Sequence, residues 1–195
     1  MRKFLLLTFI SVVACQQVSK QEGTAEPYFR INDFVNTLIQ SQAQSGNKVH
    51  KLTIANGIDE VVEISEPDSA FWKTELTPLL SADINKPSLF DAYTIKEGAS
   101  EETSNLLRTI YDAKPKVDVS VKRLEIKYLN KPTEVRQIIA TINKDNPVYN
   151  SYQKINLWTN KYGGKLLIDS MNVTGYNKTV FQDSLVYQTK LKVLH

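Results

Sequence analysis

The sequence predicts an α+β fold, with N-terminal helices packed on an antiparallel β meander sheet. Three patterns predict it. Apolar residues recur at helical spacing from Tyr28 to Ile39 and again from Phe71 to Leu80; they alternate with period two through most of the chain after about Leu106; and short turns carrying Asn, Gly and Pro separate the alternating runs. Sequential strands joined by short turns pair with their chain neighbours, so a meander is the expected topology.

The chain opens on two positive charges in Met1-Arg2-Lys3 and an apolar run from Phe4 to Val13, broken by Thr8 and Ser11. A run of about ten residues is half of the roughly 20 that a helix needs to cross a hydrocarbon core, so residues 1–14 read as a cleavable secretory signal. Val12-Val13-Ala14-Cys15, an apolar pair and a small residue before a cysteine, resembles the lipobox of bacterial lipoproteins. The resemblance implies cleavage before Cys15 and a lipid on its thiol, which makes a membrane the first expected partner. Each buried methylene contributes about 0.8 kcal/mol, and two or more acyl chains anchor where one does not. Cys15 is the only cysteine of the chain, so a disulfide within the remainder, a cysteine nucleophile and a cysteine-ligated metal are excluded.

From Gln16 to Glu26 the residues are almost all polar, and residues 15–26 read as a lipidated flexible tether before a single domain at 27–195. Pro27 suits a first helical turn, and Tyr28, Ile31, Phe34, Val35, Leu38 and Ile39 form one apolar stripe that Gly46-Asn47 ends. His50 to Ile64 reads as a hairpin about Asn56-Gly57, a pair suited to a type I′ turn. Glu66-Pro67-Asp68 opens a second helix with Phe71, Trp72, Leu76, Leu79 and Leu80 on one face, and Pro78 kinks or ends it. Pro87 starts a short turn through Leu89, Phe90 and Tyr93. Val117, Val119 and Val121 alternate in one phase and Leu124, Ile126 and Tyr128 in the other, which predicts a bulge near Lys122-Arg123. Asn130-Lys131-Pro132 is a turn, Val135 to Ile142 a strand, and residues 143–147 the next turn. Further strands fall near Lys154 to Thr159, Lys165 to Thr174 and Thr179 to Val193.

Trp72-Lys73-Thr74-Glu75-Leu76 followed by Asp83-Ile84-Asn85-Lys86-Pro87 resembles a pairing found in uncharacterised lipoproteins of Bacteroidota, which share the order helix, hairpin, helix, meander. The resemblance implies a fold and a source; it carries over no site.

Loss of residues 1–14 removes Arg2 and Lys3 from 24 basic side chains, leaving 22 against 21 acidic ones, a net +1. A nearly neutral domain is a poor binder of phosphate backbones, so nucleic acid is not an expected partner. Gln16-Gln17 lack the acidic run that resembles a surface-export tag in Bacteroidota, which points to the periplasmic face of the outer membrane.

No constellation carries catalysis. Ser151-Tyr152-Gln153-Lys154 matches the Ser-x-x-Lys of penicillin-binding proteins, but in a turn-to-strand segment residues three apart point to opposite faces, and Lys178-Thr179-Val180 is only close to the Lys-Thr-Gly that should accompany it. Two histidines, His50 and His195, are too few for a triad or a metal site. Asp83 with Asn85, and Asn143 with Asp145, lack the continuation of a calcium loop, and Asx side chains in turns bond their own backbone. Glu101-Glu102 reads as solvated. No metal and no cofactor are expected. Of three Asp-Ser pairs that resemble O-glycan acceptors, only Ser69, at a helix start, is retained; Ser170 and Ser184 fall in strands.

Tyr149, Tyr152, Tyr162, Tyr176 and Tyr187 accompany Trp158 and Phe181 late in the chain. Cross-strand packing explains them by default, and an aromatic floor on an open sheet face is the functional alternative. The expected function is a non-catalytic binding or interaction module of the cell envelope, partnered by an envelope protein or an apolar ligand. The second reading is a carrier of lipid or another apolar ligand in a groove between helix and curved sheet. A filled space between helix and sheet favours the first, a lined cavity the second.

Overall fold

A computed structural model describes residues 27–101 and 104–195. Two helices, α1 (Ile31–Ala43) and α2 (Ser69–Leu80), accompany nine strands: β1 (Lys48–Ala55), β2 (Ile58–Ile64), β3 (Tyr93–Glu101), β4 (Ser104–Ala113), β5 (Val121–Tyr128), β6 (Val135–Asn146), β7 (Tyr149–Tyr162), β8 (Lys165–Thr179) and β9 (Gln182–Leu194). They form one antiparallel sheet in the order β2-β1-β9-β8-β7-β6-β5-β4-β3. The last seven strands are a meander, and the N-terminal hairpin adds beyond its final strand through pairs from Lys48↔Leu194 to Ala55↔Tyr187.

The expected α+β class is therefore corrected to a β-sheet fold, 57% strand and 17% helix over the described residues, carrying two short helices. Two causes account for the difference. Strand structure begins at Tyr93, with β3 and the start of β4, where the sequence predicts a turn ending at Tyr93 and β structure only after about Leu106. In addition, β6 to β8 run 12 to 15 residues each, beyond the segments expected of them.

Local chemistry explains the elements that match expectation. Asn56 and Gly57 both have positive φ, 48° and 83°, as a type I′ hairpin requires. Asp68 caps α2, its Oδ1 accepting the Phe71 N–H at 2.8 Å. Pro78 withholds one N–H from α2, which ends two residues later at Leu80. The bulge falls on Lys122, between the pairs Val121↔Ile142 and Arg123↔Thr141. Three expectations shift. The first helix starts at Ile31, with Tyr28 before it. Val117 and Val119 lie in a loop, where Val119 is buried without being in a strand. Residues 143–146 continue β6, and the turn moves to Pro147-Val148.

Alternation along the strands gives the sheet a covered and an open face. Val49, Ile126, Ile138, Ile155, Leu157, Met171 and Leu191 line the covered face and meet Ile31, Val35 and Leu38 of α1 and Trp72, Leu76 and Leu79 of α2. All thirteen are buried between the helices and the sheet. At one end Tyr28 packs edge-on against Tyr93 and Tyr111, with centroids 5.5 and 5.6 Å away. Burial pushes the Tyr93 hydroxyl up to about 12, and this hydroxyl donates to the Val121 carbonyl at 3.0 Å. Among the described residues the core runs from Tyr28 before α1 to Val193 of β9.

Candidate ligand-binding trough on the open sheet face

The open face carries two adjacent cross-strand rows. One runs Trp158, Ser170, Lys192, His50, Glu63 from β7 to β2, and the next runs Asn156, Asn172, Lys190, Leu52, Val61. Side chains directly opposite on one face lie about 5 Å apart, so these residues form a continuous platform held by the ladder. Over it lies a trough of about 600 Å³ that reaches from Trp158 and Tyr162 past Asn172, Lys190 and Lys192 to His50. A second hollow of about 450 Å³ adjoins it, sharing Trp158 and Asp169 and extending to Arg136 and Gln137.

One bulge shapes the floor. Trp158 pairs with Ser170 but Thr159 pairs with Ile168, which leaves Asp169 as an extra residue in β8. The extra residue turns Asp169 toward Tyr162, whose hydroxyl donates to its Oδ1 at 2.5 Å. That bond, followed by burial, raises the Tyr162 hydroxyl above its ordinary range. The Tyr162 ring stacks on His195, with centroids 3.7 Å apart. His195 Nδ1 lies 2.9 Å from the Asn47 amide nitrogen, which can only donate, and its Nε2 donates to the Ile168 carbonyl at 3.0 Å.

The charges around the trough divide into tied and free. Glu63 accepts from Lys48 at 3.2 Å and lies 2.9 Å from His50 Nε2; the Lys48 bond foremost holds its carboxyl below the usual range. Lys190 and Lys192 have no acidic partner among the described residues. Trp158 keeps 36% of its surface exposed beside them. A flat aromatic ring, amide and hydroxyl groups and two unneutralised ammonium groups on a rigid sheet can stack a ring and bind oxygens. They offer no activated nucleophile.

The sequence-derived candidates fall as follows. Ser151 is buried on the covered face and Lys154 exposed on the other, with no register shift between them, so the Ser-x-x-Lys pair is not brought together. Asp83 accepts the Asn85 N–H at 3.0 Å and the Asn32 amide at 2.7 Å. Asn85 in turn accepts the Tyr28 N–H at 3.1 Å and donates to the Tyr28 and Phe29 carbonyls. The Asp83-Asn85 stretch is thus a latch that fixes the entry to α1. Asp145 accepts from Asn150 at 2.9 Å. Among the described residues no group of three His, Cys, Asp or Glu side chains is placed to hold a metal ion. Ser69 is exposed in the first turn of α2. Cys15, the signal segment and the tether lie outside the described residues, as do the Glu101-Glu102 side chains.

Sequence reasoning singled out Trp158 and Tyr162 only as members of an aromatic set, and it missed Asp169, Lys190 and Lys192 as neighbours. One signal was present: Ile168 and Met171 are both apolar in a strand yet three apart, a spacing that keeps one face only across a bulge. No protein-family model matches the chain, and neither curated proteins nor solved structures show significant similarity to it.

Proposed function

We propose that the protein is a non-catalytic binding module of the bacterial cell envelope, anchored to the outer membrane by lipid on Cys15, with the open-face trough as its ligand surface. The observation that carries this reading is the juxtaposition of exposed Trp158 with unpaired Lys190 and Lys192 on a rigid platform. An exposed tryptophan offers a stacking surface, and free ammonium groups favour a ligand bearing acidic groups. An acidic glycan of the envelope meets both. The trough lies on the sheet face opposite the helices, which speaks for a surface site over a groove between helix and sheet.

Printed arrays of envelope polysaccharides and lipids, probed with residues 27–195, test the reading. Binding to acidic glycans is expected, weakened at least tenfold by Trp158→Ala and by the pair Lys190→Ala, Lys192→Ala, and unaffected by Ser151→Ala. Binding that survives both trough variants would place the ligand elsewhere.

A further inference from the structure

We infer that the far end of the sheet, where the β6–β7 and β8–β9 hairpins turn, dips into the bilayer to which the chain is anchored. At that end Phe181 is 89% exposed, Val180 62% and Val148 59%. The Val180 N–H donates to the Val148 carbonyl at 3.2 Å, which locks the two turns side by side. Val186, a few residues down β9, is also exposed, and its N–H is held by Asn56 of the β1–β2 turn. Two adjacent hairpin tips thus present Val148, Val180 and Phe181 together, with Val186 exposed further back along β9. Water-facing monomers rarely keep contiguous apolar surface of this kind, and it marks a site that meets protein or lipid.

The occupant follows from where the chain enters the fold, and this step rests on the lipid-anchor reading of Cys15. Tyr28 packs on Tyr111, whose register row runs through Leu124, Ala140 and Ile155 to Val173 of β8. Val180 stands seven residues beyond Val173, about 23 Å at 3.3 Å per residue, and β8 stands four strand spacings from β4, about 19 Å. The diagonal is about 30 Å. The eleven residues from Gln16 to Glu26 extend at most about 36 Å. A lipid on Cys15 and the hairpin tips can therefore occupy the same leaflet.

Charge at the tip narrows the mode of contact. Exposed Lys144 and Lys178 are offset by Asp145 and Asp183, so no net field draws the tip to anionic headgroups. Insertion is apolar, weak alone, and effective only where the tether keeps the tip at the surface.

Residues 27–195 contain no cysteine, so a single Gln182→Cys takes an environment-sensitive nitrobenzoxadiazole probe. The labelled chain, residues 16–195 so that the eleven-residue tether is kept and no further cysteine is added, is held by an N-terminal hexahistidine tag on phosphatidylcholine vesicles containing a nickel-chelating lipid. Emission from position 182 is expected to shift to the blue and rise at least twofold. The same probe at Lys165→Cys, at the start of β8 beside the turn at the opposite end, is expected to stay unchanged, and Phe181→Asp with Val180→Asp abolishes the change at 182. An unchanged spectrum at 182 on protein-loaded vesicles would overturn the proposal. So would a shift at 182 that grows with protein concentration without vesicles, since a second copy would then cover the tip. Intact mass of the full chain purified from the envelope reads Cys15 acylation separately: an unlipidated Cys15 removes the anchor, while the tag-held probe still decides the tip.

Discussion

At the residue scale, Trp72 shows most clearly how a buried side chain both stabilises and costs. Its ring is wholly buried with Leu76 and Leu79 and meets Phe71 edge-on at 5.3 Å. Its Nε1–H is buried without a hydrogen-bond partner, a state that costs on the order of 1–3 kcal/mol. Trp72→Ala is expected to lower unfolding free energy by about 3–5 kcal/mol, because neighbours on two helices and the sheet cannot close the cavity. Trp72→Phe keeps most of the ring volume and removes the unpaired N–H, so its cost is expected to be well under half as large. Urea denaturation of residues 27–195 followed by far-ultraviolet circular dichroism checks both. Equal losses for the two variants would show that the indole nitrogen has a partner. Trp158, by contrast, is a strand residue of similar chemistry on the uncovered face, and its truncation is expected to affect ligand binding before stability.

At the scale of the element, legibility followed burial. The hairpin at Asn56-Gly57, the Asp68 cap and the bulge at Lys122 could be read because each rests on a local rule: positive φ at a turn, a carboxylate at a helix N-terminus, a change of phase along a strand. The distal parts of β6, β7 and β8 could not. Residues 144–146 are exposed and residues 175–179 at best half-buried, so neither face selects apolar side chains and the period-two signal disappears although the ladder continues. β3 failed for a related reason, since Gly98 at φ 65° and the register shift between Lys96 and Ala99 break its alternation. Val117 and Val119 failed in the opposite sense: alternation there serves a loop that buries only one of them. In the candidate site, residue types were legible and their meeting was not, because Trp158, Ser170 and Lys192 become neighbours only through the register of three strands.

Gly175 is the element-scale test of that register. A Cβ there would lie 2.3 Å from the Tyr152 carbonyl oxygen and 2.7 Å from the Tyr187 hydroxyl, which itself accepts from Gln153 at 3.0 Å. The glycine lets β7 approach β8 and lets Tyr187 lie across it. Gly175→Ala is expected to cost about 1–3 kcal/mol through overpacking, since the backbone oxygen cannot swing aside as a side chain would. The midpoint of urea unfolding measures this, and an unchanged midpoint would refute the close approach.

At the scale of the molecule, the order of the strands couples the two ends of the chain. β1 pairs with β9 and not with β3, so the N-terminal hairpin has no place on the sheet until the last strand has been added. Helix α1 is bound into the same dependence: Gln42 near its end reaches the Ile168 carbonyl of β8, and Val49 of the following strand sits in the core beside Leu191 and Val193. Contacts so distant in sequence require closing a long loop before they yield any burial, which slows folding and leaves little room for a stable partial structure. Removing residues 182–195 should therefore do more than delete one strand. It leaves β1–β2 without a neighbour and strips Leu191 and Val193 from the covered face. A hairpin alone is at best marginally stable in water. The shortened chain is expected to lose cooperative thermal unfolding and near-ultraviolet circular dichroism. In the full domain, hydrogen exchange is expected to show the amides of β1 and β9 becoming protected together and after those of β5 to β7. A truncated chain that still melts cooperatively, or β1 amides protected before β9 forms, would show that the hairpin docks on the helices first and that the sheet closes around an existing core.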